Sequence, residues 1–106
     1  MREIKQLPKK STLALIQEAK DAYAHFNDEA QNAFIEQLAL KEKKRLLEIA
    51  KTKTDLTGAQ GVILKMITEL HEKIVEGDKH RRSCESSRKN YSEIIRALEA
   101  AIKEFK

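Results

Sequence analysis

Apolar residues recur in the first half of the chain at Ile16, Ala19, Tyr23, Phe26, Ala30 and Ala33. The steps are 3-4-3-4-3, the spacing that keeps one seam of a helix turned toward a partner helix. The seam crosses Asn27, Asp28 and Glu29 without changing phase. Those residues can end one helix and cap another, but the unbroken phase favours one continuous helix. Phe34, Ile35 and Leu38 widen the apolar face. It fades at the basic run 41–45, and Leu46, Leu47, Ile49 and Ala50 resume it in a shifted phase.

Residues 52–58, Thr-Lys-Thr-Asp-Leu-Thr-Gly, form the clearest break. Thr57 with Gln60 three positions later has the pattern of a capping box, and Asp55 is the competing cap. Helical spacing returns at Ile63, Met66, Ile67, Leu70 and Ile74. Gly77-Asp78 combines a stop with a cap, so a kink or second turn is expected there. The last stretch sets Cys84, Tyr91, Leu98 and Phe105 seven apart, with Arg88, Ile95 and Ile102 between them, a seam of about three heptads. Upstream, Pro8 followed by Lys9 and Lys10 suggests a flexible basic arm over residues 1–10, with Ser11 or Thr12 capping the first helix.

The fold class expected is therefore all-α. It is a single helical domain over residues 11–106, either an antiparallel long-helix hairpin or a three- to four-helix bundle. If the turn folds the chain back about its centre, the numbers of facing residues sum to about 110. Ile16 then meets Ile94, Leu15 meets Ile95, Phe26 meets Cys84 and Ile35 meets Val75. Charges match as well: Asp28 and Glu29 face Arg81 and Arg82, Asp21 faces Lys89, and Lys41 faces Glu69. Two helices cannot cover both of their apolar faces alone, so self-association, most simply a homodimer, is expected.

Composition sharpens this picture. The 106 residues include three Gly, one Pro and no Trp, and 36% are Asp, Glu, Lys or Arg. Average domains carry about a quarter charged residues, so long helices with much solvated surface fit better than a thick core. The net charge of +4 permits an anionic partner without requiring one. One cysteine excludes an internal disulfide. No leader-like or bilayer-length apolar stretch is visible, so a cytoplasmic protein without membrane contact is expected.

The chemistry is sparse. His25, His71 and His80 are scattered, with no pair at i,i+4, so neither metal nor cofactor is expected. No nucleophile–base set or paired carboxylates mark an enzyme. Cys84 stands in core phase; its neighbours Arg81, Arg82 and Arg88 would lower its pKa if it were exposed. Gly58-Ala-Gln-Gly61 lacks the Lys and hydroxyl residue of a phosphate-binding loop. Ser83, Ser86 and Ser87 lie beside arginines, where phosphorylation would neutralise the basic patch.

The function expected is that of a helical protein–protein interaction module: an adaptor, a chaperone-like binder or an inhibitor of a larger protein. Its partner-facing candidates are Lys79, Arg81, Arg82, Arg88 and Lys89 with Asp28 and Glu29. The rival expectation is a basic nucleic-acid-associated protein working through residues 41–53, with Lys41, Lys44, Arg45 and Lys51, and through residues 79–89. No aromatic residue lies among residues 79–89 to stack on a base.

Overall fold

The computed structural model describes residues 2–105 and contains two helices, α1 (Arg2–Lys53) and α2 (Thr57–Ile102), with no strand among them. Helix α1 runs unbroken through Asn27-Asp28-Glu29, as its phase indicates. It also runs through residues 2–10, the segment read above as an arm. Pro8 lies inside the helix, and its carbonyl accepts a 2.7 Å hydrogen bond from Thr12 Oγ1. Thr12 is therefore no N-cap. It is a buried helical residue whose hydroxyl bonds back one turn. Met1, the first residue of the expected arm, lies outside the described residues.

The two chain reversals considered at Asn27 and Gly77 do not occur, since both residues are helical. The single break is residues 54–56. Leu56, not Thr57 or Asp55, is the last residue before α2, and its carbonyl accepts the first helical bond, from Gln60 N at 3.0 Å. Gln60 does reach back, as a capping-box residue would. Its amide nitrogen, however, donates to the Thr54 carbonyl at 2.7 Å. The Thr54 hydroxyl accepts from Leu56 N at 3.3 Å. These bonds fold the three linking residues onto the first turn of α2.

The inward positions keep a strict heptad period. On α1 they include Thr12, Ile16, Ala19, Phe26, Ala30, Ala33, Gln37, Leu40, Lys44, Leu47 and Lys51. The phase does not shift after residue 45. Leu47 continues it, while Leu46, Ile49 and Ala50 face solvent. On α2 the inward set is Gln60, Ile63, Ile67, Leu70, Ile74, Gly77, Arg81, Cys84, Arg88, Tyr91, Ile95, Leu98 and Ile102. Polar and charged residues thus hold inward positions that a count of apolar residues skips.

The chain divides into two compact units. One is Ala30–Arg82 and the other is Met1–Glu29 together with Ser83–Lys106. The Ala30–Arg82 unit is a helical hairpin closed by the 54–56 turn. In it the Gln37 side chain lies against Gly77, and Lys44 Nζ lies 3.4 Å from His71 Nδ1. In the other unit the antiparallel segments are joined by Arg88 Nη1 donating to Asn27 Oδ1 at 3.0 Å. Phe26 stacks on Tyr91 there, with centroids 5.8 Å apart and planes inclined by 15°.

These four pairs have numbers adding to 114, 115, 115 and 117, not 110. The expected register is thus off by about five residues, or about 7 Å of helix rise. The reason is the turn: α2 begins with a turn that overshoots the end of α1. Phe26 accordingly meets Tyr91 instead of Cys84. The pairs Leu15–Ile95, Ile16–Ile94 and Ile35–Val75 are lost, and Leu15, Ile94, Ile35 and Val75 are exposed. Asp21 accepts a bond from Gln17 on its own helix.

Candidate functional site

The candidate residues divide between inward and outward positions. Among the partner-facing set, Lys79, Arg82, Lys89 and Asp28 are exposed. Arg81, Arg88 and Glu29 are half-buried. Arg88 is held by Asn27, and Arg81 Nη2 lies 3.8 Å from Asp78 Oδ1 one turn earlier. The two arginines at heptad positions therefore serve the seam, and Lys79, Arg82 and Lys89 stay on the outer surface of α2.

The rival set separates in the same way. Lys41 and Arg45 are exposed, whereas Lys44 and Lys51 take inward, half-buried positions. Arg45 is engaged with Glu42, its Nε and Nη2 donating to both carboxylate oxygens at 3.0 and 2.6 Å. This bond holds the Glu42 carboxyl below the usual range and raises Arg45. A fully exposed i,i+3 pair of this kind fixes local geometry more than stability.

Cys84 is buried in the seam. Burial pushes the thiol pKa up, and the charges of Glu29 and Glu85 act in the same direction. The basic neighbours do not activate it: Arg88 is turned to Asn27, and the charges that act on the thiol are those of Glu29 and Glu85. The thiol is held neutral, the opposite of what a nucleophile needs.

The apolar residues carry the larger signal. Seventeen large apolar side chains are exposed among the described residues, against six buried apolar ones, and no large side chain is fully sealed from solvent. Ten of the seventeen fall in the Ala30–Arg82 unit: Phe34, Ile35, Leu38, Leu46, Ile49, Leu56, Val62, Leu64, Met66 and Val75. In that unit only Ala30, Ala33 and Ile74 are buried apolar residues. Exposed large apolar residues thus outnumber buried apolar ones in this unit. Scattered exposed apolar residues are ordinary, but contiguous ones mark contact surfaces.

Two arrangements are contiguous by construction. Phe34, Ile35 and Leu38 occupy one outward strip of α1 at i, i+1 and i+4. Separately, Leu46, Leu47, Met66 and Leu70 line a groove between the two helices, with Lys43, Glu69 and Lys73 also in its wall. In the other unit, Lys5, Lys9 and Lys10 converge with Gln6, Leu13 and Phe105. That grouping is not visible in sequence, because it depends on the end of α2 returning beside the start of α1.

No family model matches this chain, and no match was found among curated proteins or solved structures. No helix among the described residues is long and apolar enough to cross a membrane.

Proposed function

We propose that the protein is a helical protein–protein interaction module whose working surface is the apolar strip Phe34, Ile35 and Leu38 on α1. The observation that carries this reading is exposure. Phe34 is 51% exposed, Ile35 62% and Leu38 53%, on a helix whose inward face is already occupied by Ala30, Ala33 and Gln37. An apolar strip at this spacing fits a groove on a larger protein, or forms one wall of a groove for a partner helix. Lys41 and the Glu42–Arg45 pair, one to two turns on, supply the charged rim that sets orientation.

This reading replaces the charged set 79–89 as the principal surface, since Arg81 and Arg88 are turned to the seam. It is favoured over nucleic-acid binding for a similar reason. Lys44 and Lys51 sit inward, and Arg45 is already paired, which leaves no continuous basic face among the four rival residues.

A photoreactive benzophenone amino acid in place of Leu38, with a control placement at Asp21, tests the proposal in cells that make the protein. Covalent adducts to other polypeptides from position 38 and not from position 21 are the expected result. Absence of protein adducts would overturn it. Binding to a labelled DNA or RNA duplex that weakens steeply with salt and persists in Leu38→Glu would establish the rival class instead.

A further inference from the structure

We infer that the groove lined by Leu46, Met66 and Leu70 is the seat of a second copy of this chain, each copy covering the other's open seam. This groove uses residues distinct from the Phe34–Leu38 strip, so the inference stands or falls independently of the proposed function.

The first support is the state of the seam itself. Leu70 holds an inward heptad position, yet it is only half-buried and lines the groove. Beside it Leu46 is 52% exposed and Met66 45%. Two helices in contact leave the flanks of their seam open, and a second helical layer closes them. The groove is such a flank, with both helices contributing walls. A strip on one helix lacks that property.

The second support is area. The chain exposes 8286 Å². A compact monomer of 12.2 kDa exposes about 6,100 Å² by the size scaling of folded monomers. The excess is about 2,200 Å² per chain. That surplus leaves room for a standard interface, which buries about 800 Å² per partner.

The third support is charge. Lys43, Lys73 and Glu69 mix both signs around the groove. A self-complementary interface brings the same rim to both sides, and a rim of one sign would repel its own copy. The mixed rim avoids that cost, and it is poorly suited to a strongly acidic or strongly basic partner.

Light scattering coupled to size-exclusion chromatography on the full chain reads the first consequence. The expected mass is twice 12.2 kDa at micromolar concentration. Leu46→Glu combined with Met66→Glu should shift the chain to monomer, raising the dimer Kd at least a hundredfold. Because that variant can also lose its fold, the wild-type protein supplies a second readout. In an equal mixture of isotope-labelled and unlabelled chains, the Met66 methyl group should show intermolecular nuclear Overhauser contacts to apolar protons of the other copy. A monomeric wild-type mass overturns the inference. A dimer whose Met66 methyl shows no intermolecular contact overturns the groove as its seat. Adducts from position 38 to other proteins, together with a monomeric mass, would leave the proposed function standing and remove only this inference.

Discussion

The side-chain amide of Gln37 occupies the space that a β-carbon on residue 77 would take. Gly77 thus fills a packing role within a helix, with no positive φ to require glycine. Gln37 is 3% exposed, and its Oε1 has no hydrogen-bond partner among the described residues. A buried polar group of this kind is costly for stability and is best attested as a means of fixing register. The two residues should therefore be strongly coupled. In a Gln37→Ala background, Gly77→Ala should stabilise by about 1 kcal/mol, the ordinary helix-propensity gain. In the wild-type background that gain should vanish or reverse. Urea denaturation of the double-mutant cycle should give a coupling of at least about 1 kcal/mol. Additivity of the two substitutions would show that Gln37 does not pack on Gly77.

Gly58 and Gly61 provide the contrast. Both lie in the first turns of α2, neither has a positive φ, and a β-carbon at either meets nothing within 4 Å. Each Gly→Ala change should raise stability by about 0.5–1 kcal/mol through helix propensity and the unfolded chain. The check is the shift in urea midpoint at unchanged slope.

The stacked pair Phe26 and Tyr91 anchors the unit formed by the two chain ends. Both rings are half-buried, so Phe26→Ala should cost about 2–3 kcal/mol, below the range for sealed core rings. Tyr91→Phe should be nearly neutral. A cycle of Phe26→Leu with Tyr91→Leu should return a coupling of about 0.5–1.5 kcal/mol. Thermal unfolding monitored by circular dichroism measures both.

The buried Cys84 thiol gives stability a pH dependence. Its folded pKa is raised by burial and by Glu29 and Glu85, so the folded chain holds the proton where the unfolded chain releases it. The sign follows: the contribution is fully present below the ordinary thiol pKa near 8.5 and is lost as pH rises through the folded value. Between pH 7 and pH 10 the urea midpoint of the wild type should fall more than that of Cys84→Ala. The thiol should also react with a disulfide reagent at pH 8 at least tenfold more slowly in the folded than in the unfolded chain. Equal rates would mean that Cys84 is not shielded.

Much of the fold was legible because α1 writes its seam in apolar residues from Ile16 to Ala33. The continuity through Asn27 followed from that phase alone. Later inward positions are occupied by Gln37, Lys44, Lys51, Gln60, Gly77, Arg81 and Arg88, and an apolar count cannot see them. Leu46 and Ile49 looked like a new phase because they are apolar, although they belong to the outer surface. The glycine at residue 77 resembled a helix stop, since its packing role depends on a residue forty positions earlier. The register failed for a local reason: the path of residues 54–56 decides where α2 starts against α1, and no residue pattern specifies that path. Arg88 keeps the seam position that its spacing gives, and Arg81 joins it because heptad phase, not polarity, fixes the direction of a helical side chain.

The unbroken period of both helices limits how this chain can change length. One added residue within α1 or α2 turns everything beyond it by about 100° and carries the seam away from its partner. Seven added residues return the seam nearly to its starting direction. Lengthening without loss of pairing therefore proceeds by whole heptads, matched in both helices at the same level. The three residues between Lys53 and Thr57 lie outside both heptad patterns, so a single insertion there leaves the period of each helix intact and changes only where α2 starts against α1.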